Sequence, residues 1–219
     1  MERANPLRLG VCFALGAVTG TLLDGIHAYG DVLSYPHPAF GRWAFFVPLE
    51  FGLLGALAGA LAPTLERIAG ATRAFATGER VRELALFASL YLATAIVRGD
   101  WRFALAAALT ALALARLARG SVRGDWLYVL LAAALGPAGE ALMSALGAFE
   151  YRDPDVAGVP IWLPALWANG GFLIRRLIVP VVMPSGAARE QARVVGDHAR
   201  DTELTESLDP AAVVHRPDV

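Results

Sequence analysis

Five polar residues sit within otherwise apolar sequence, and their types are those of acid–base and hydrogen-bond chemistry: Asp24, His27, Glu50, Glu140 and Asn169. Asp24 and His27 are three apart, which puts them on one face of a helix. Glu50 follows Trp43 by seven residues, Glu140 precedes Gly147 by seven, and Asn169 follows Trp162 by seven. Seven residues span about 10 Å of helix. If Trp43, Gly147 and Trp162 mark one boundary, Glu50, Glu140 and Asn169 fall in a single layer, with Asp24 and His27 slightly nearer that boundary. Such a layer supports three readings. It could be a buried hydrogen-bond network that fixes packing, a polar handle for a lipid headgroup or hydroxyl, or an acid–base set on Asp24, His27, Glu50 and Glu140. The third needs a protonated and an ionised carboxyl side by side. No His/Glu spacing of the H-E-x-x-H kind is present, so no metal is expected.

The elements that must position these groups are apolar runs of membrane length. The 219 residues are 56% hydrophobic and only 18% charged, with mean hydropathy +0.50, which is more apolar sequence than a soluble core of this size can absorb. Six runs stand out: Leu7–Leu23, Trp43–Ala62, Val81–Val97, Trp101–Ala118, Trp126–Gly147 and Ile161–Met183. Each is near the ~20 residues that cross a hydrocarbon core. Glu83 lies near one end of the third. Arg175-Arg176 interrupts the sixth, whose spanning part could end there. The expected fold is all-α, an integral membrane bundle of six transmembrane helices over residues 1–183. Residues 184–219 read as a polar, disordered cytoplasmic tail.

All the basic residues are Arg, and they distribute unevenly among the loops. One side holds eleven, from Arg3 and Arg8 through Arg67, Arg73, Arg80 and Arg82, then Arg116, Arg119 and Arg123, to Arg175 and Arg176. The other holds Arg42, Arg98, Arg102 and Arg152. The positive-inside rule then places both termini in the cytoplasm of a multi-pass inner-membrane protein. The absence of Lys with abundant Ala fits a GC-rich bacterial genome. A net charge of −1 gives no reason to expect nucleic acid, and a single Cys, Cys12, excludes an intrachain disulfide. Gly16 and Gly20 in the first run and Gly52, Gly55 and Gly59 in the second have spacings that let helices approach closely. Either they serve ordinary packing, or they leave room for a flat or branched lipid. Arg98-Gly99-Asp100 is so short that the third and fourth helices should form a tight antiparallel pair. Trp43, Trp101 and Trp162 read as interface anchors on one side, Trp126 and Tyr128 on the other. Trp167 is deeper and could line a pocket, while Asp153-Pro154-Asp155 reads as turn chemistry.

Tyr151, Pro154, Asp155, Trp162-Leu163-Pro164 and Gly170-Gly171 together resemble the last loop and sixth helix of the INSIG family. Phe45-Phe46-Val47-Pro48 with Gly52 resembles the entry to that family's second helix, and Asp100 matches an Asp at its tight third-to-fourth turn. The resemblance covers roughly residues 8 to 180. It implies six helices with both ends cytoplasmic, lipid responsiveness, and a role for Asp100 in engaging a membrane-protein partner, against its alternative as a plain turn residue. In animal members the positions matching Asp24, His27, Glu50 and Glu140 are uncharged, so the acidic layer is not part of what the resemblance implies.

The expected function is binding of a neutral lipid, of sterol or diacylglycerol type, in a cavity between helices, as a sensor or regulator without catalysis. Gly16, Gly20, Gly52, Gly55 and Trp167 would wall that cavity, and Glu50, Glu140 and Asn169 would cap it. No cofactor is expected, and partners would be the lipid, another membrane protein or a second copy of the chain. The alternative is an enzyme with hydratase-like chemistry on an isoprenoid or carotenoid lipid, using Asp24, His27, Glu50 and Glu140.

Overall fold

A computed structural model describes residues 5–70, 75–119 and 123–183. Arg3, Arg73 and residues 184–219, where the polar tail is expected, lie outside the described residues. Six helices follow one another: α1 (Pro6–Tyr29), α2 (Val47–Ala69), α3 (Thr77–Ile96), α4 (Trp101–Ala118), α5 (Arg123–Ala145) and α6 (Leu163–Val182). Five of them, all except α3, are long and apolar enough to cross a membrane.

Local chemistry sets the helix ends. The Asn5 side chain accepts from Leu7 N at 2.9 Å and caps α1. Pro6, Pro48 and Pro164 stand in the first turns of α1, α2 and α6, where a missing N–H costs nothing. That is the physical content of the Val47-Pro48 and Leu163-Pro164 signatures. α2 stops at Gly70, whose φ of 60° is the left-handed cap that glycine accepts most readily.

α6 is the central rod, with α1 to α5 all packed on it. α1 crosses α2 at Gly16 and Gly55, where a Cβ on Gly55 would come within 3.1 Å of the Gly16 Cα. Gly171 does the same against the α5 backbone at Tyr128 and Val129. α3 and α4 do not form the expected tight pair. They meet at the turn between them and through the Arg116–Glu83 ion pair, and each packs mainly on α6.

Two short strands, β1 (Leu33–Ser34) and β2 (Glu150–Tyr151), pair antiparallel and tie the α1–α2 loop to the α5–α6 loop. Arg152 N extends the ribbon by donating to Val32 O at 2.9 Å. The same loop then reverses through Ala157 and Gly158, both at positive φ, with Val156 and Val159 bridged across the turn. Trp162 is only 4% exposed, wedged against Tyr151 and His27, and is therefore a core residue and not an interface anchor. Tyr128 is likewise buried, whereas Trp101 and Trp126 are exposed.

Candidate functional site

Near the ribbon end, α1, α2, α5 and α6 enclose a cavity of about 140 Å³. Asp24, His27, Glu50 and Glu140 all stand on its wall, as does Trp167. Two phenols close it. Tyr35 donates to Asp24 Oδ2 at 2.9 Å, and Tyr151 donates to Glu140 Oε2. Glu140 Oε1 also accepts from Trp167 Nε1 at 2.5 Å. The indole reaches it because Gly136, one helical turn before Glu140, has no Cβ: one there would run into the ring. Burial, reinforced by the neighbouring carboxyls, pushes the Tyr35 and Tyr151 phenols well above the ordinary range, so both remain donors. The ribbon holds Tyr151 directly and Tyr35 one residue beyond its own strand.

His27 is 2% exposed, stacked on Tyr91 with centroids 4.4 Å apart. Its Nε2 lies 2.7 Å from Thr94 Oγ1, and that hydroxyl donates to Tyr91 O at 2.7 Å. The single hydroxyl proton is thus used, so His27 Nε2 carries the hydrogen and donates. A neutral ring then presents Nδ1 as an acceptor, with no partner among the described residues. Glu50 accepts no hydrogen bond from any described residue. Leu135, 66% exposed, and Gly139 stand on the rim, so the cavity opens between α2 and α5.

A second cavity, about 80 Å³, adjoins the first and shares Phe51, Leu54, Tyr91 and Trp167 with it. Its walls are apolar, from α1, α2, α3 and α6, and include Gly16, Gly20 and Gly55. These glycines therefore serve both readings, since they also permit the α1–α2 crossing. Gly52 does not reach either cavity; it faces the Phe13 ring.

Asn169 also lies elsewhere. Its Nδ2 donates to Leu109 O and Ala165 O, and its Oδ1 accepts from Arg116 Nη1 at 3.1 Å. The expected single layer fails because α2 begins only at Val47, so Glu50 is in its first turn, whereas Asn169 lies seven residues into α6. Asn169 belongs to a separate buried network at the far end of the bundle. There Arg175 grips Glu66 with Nε and Nη2 at 2.7 and 2.8 Å and reaches Asp125 at 3.0 Å. Arg176 bridges Asp125 and Glu83, and Arg116 pairs with Glu83 at 2.5 Å. The chain of contacts joins α2, α3, α4, α5 and α6. The helix runs through Arg175-Arg176 to Val182, and both charges are paired. Asp100 is exposed at the start of α4, beside an Arg102 that pairs with Asp155 instead.

Tyr35, Tyr91 and Tyr151 are site residues that spacing did not single out. Tyr151 comes from a two-residue strand and Tyr35 from the residue after one, where no periodicity exists to read. Tyr151 stood out only through the INSIG resemblance, and Tyr35 only as an aromatic residue with a hydrogen-bonding tip beside an apolar run.

A sequence profile described as "Protein of unknown function (DUF2878)" matches residues 80–177, from the start of α3 into α6. No curated protein matches the chain. Among solved structures, the mycobacterial Insig homologue MvINS from Mycobacterium vanbaalenii is similar, at 25% identity and TM-score 0.67, over 84% of this chain and all of that one. A cross-linked trimer of an MvINS cysteine variant is similar at 26% identity and TM-score 0.65, over the same shares. The helix order, the apolar spans and this likeness indicate a multi-pass membrane protein with an INSIG-like fold.

Proposed function

We propose that the chain binds a neutral lipid, of sterol or diacylglycerol type, between its helices and acts as a lipid sensor or regulator without catalysis. One observation carries this reading: a cavity with carboxyl and phenol walls lies beside an apolar one, and the two share Phe51, Leu54, Tyr91 and Trp167 in their walls. An amphiphile needs that juxtaposition, a wet end for its head and a dry end for its body. All six helices cross the inner membrane in this reading, with both termini cytoplasmic and the ribbon end outside. The arginine-rich network then lies at the cytoplasmic side, in agreement with the loop charges. α3 crosses despite its charged first turns because Glu83 is neutralised by Arg116 and Arg176. Asp100, exposed on the outer turn, is available to a membrane-protein partner, and self-association is consistent with the trimer seen for MvINS.

Native mass spectrometry of gently solubilised protein tests the binding. A stoichiometric lipid adduct is expected. Clean apo protein in several mild detergents, with no shift on adding diacylglycerol or sterol, rejects it. The second reading, water addition to an isoprenoid double bond, draws on the free Glu50 carboxyl and His27 Nδ1 sharing one cavity. Glu50→Gln and Glu140→Gln separate the two: an enzyme loses turnover while retaining ligand, whereas a binding protein has no turnover to lose.

A further inference from the structure

Three of the four buried acids among the described residues, Glu66, Glu83 and Asp125, have arginine partners; Asp24 does not. With Glu50 and Glu140 it shares a cavity whose described walls include no Arg, in a chain without Lys. Most of the protein's own donors are already spent, Tyr35 on Asp24 and Tyr151 and Trp167 on Glu140; the Tyr91 hydroxyl on the same wall donates to no described residue and can accept as well as donate. What remains open to an occupant is a set of acceptors, namely the Glu50 carboxyl, Asp24 Oδ1 and His27 Nδ1, the last on a side chain 2% exposed. Aromatic rings on the same wall, including Tyr91, Phe149 and Trp167, offer faces that attract a cation. An unpaired buried carboxylate is costly, and a phosphate or carboxylate head would add to that cost.

From the free acceptors, the absent counter-charge and the aromatic walls, we infer that this cavity selects an amphiphile with a primary ammonium head, whose three N–H donors meet the three open acceptors. The inference rests on the lipid-binding reading above and sharpens it, since the apolar cavity beside the acids receives the body of the same molecule. It assigns the acidic residues a selective role: cations first, alcohols second, anionic lipids excluded.

The probes are hexadecylamine, hexadecanol and hexadecanoate, which share one chain and differ in head, titrated against the full chain in a nonionic detergent. Saturable binding is read by native mass spectrometry and by the shift in Tm. The amine is expected to bind about tenfold more tightly than the alcohol, as a charge-assisted bond exceeds a neutral one, and the acid not to bind saturably. Glu50→Gln should remove most of the amine's advantage over the alcohol. Hexadecyltrimethylammonium, which has charge but no N–H, gives a check needing no variant: it should bind several-fold more weakly than the primary amine. Alcohol binding equal to or tighter than amine binding overturns the ammonium assignment and leaves the lipid-binding reading intact. Equal binding of the trimethylated and primary amines also overturns it. No saturable binding of amine or alcohol removes both.

Discussion

The two ends of the bundle bury acids in opposite ways. At the far end Glu66, Glu83 and Asp125 face Arg116, Arg175 and Arg176, so the charges balance within one network. At the ribbon end Asp24, Glu50 and Glu140 are met only by neutral donors, around a void. A balanced network without space fixes the positions of helices; an unbalanced set around space is built for an occupant. In the first, removing one partner strands a charge inside protein, which is far more damaging than never having had the pair. In the second, removing an acid strands no opposite charge, and removing Glu50 strands no hydrogen-bond donor either.

Arg175→Met therefore carries the largest expected loss, about 3–5 kcal/mol from leaving Glu66 unpaired. Thermal unfolding followed by size-exclusion fluorescence should find little folded protein, and Arg175→Met with Glu66→Met should recover most of it, because Asp125 keeps Arg176. Survival of the single variant at wild-type Tm would mean that the far end does not hold the helices together. Next comes Gly124→Ala. The Arg175 guanidinium lies where that methyl would go, at 2.5 Å from Cζ, so overpacking should cost about 1–3 kcal/mol with no change in any lipid adduct. Gly136→Ala is its counterpart at the ribbon end. It displaces the Trp167 indole from Glu140, and its effect should appear in lipid retention more than in Tm. The smallest effect on stability belongs to Glu50→Gln, within about 0.5 kcal/mol, since no described residue donates to that carboxyl. A loss comparable to that of Arg175→Met would erase the contrast between the two ends.

The phenols give the same contrast a pH axis. Tyr35 and Tyr151 titrate higher in the folded protein than in the unfolded chain. Their contribution is complete below the ordinary tyrosine pKa of about 10 and is lost as pH rises above it. Spectroscopic titration should find these two tyrosines protonated beyond that range, and Tyr35→Phe should flatten the alkaline fall in Tm.

Much of the frame was legible because lipid makes simple demands. Apolar length located the five spans, and prolines at Val47-Pro48 and Leu163-Pro164 marked true helix starts. Asp24, His27, Glu50 and Glu140 do share one cavity, as their polar character within apolar runs suggested, although the depth counted from Trp43 was wrong for Glu50. Depth could not separate Asn169 from them, because counting residues says how far along a helix a group lies but not which neighbour it faces. Asn169 turns to α4. Nor could apolar patterning reveal Glu66 and Asp125, whose significance depends on an arginine more than a hundred positions from one and fifty from the other. The β1–β2 ribbon, two residues per strand, is too short to leave a pattern.

That ribbon also constrains how the molecule is made. It stitches a loop from the first third of the polypeptide to one that emerges about two thirds of the way along it, and the polar chamber takes walls from both. During synthesis the chamber cannot exist until the last helix has been threaded into place. Every earlier intermediate carries Asp24 and Glu50 without their roof, so assembly of this protein is finished, in the most literal order, from the C-terminal side.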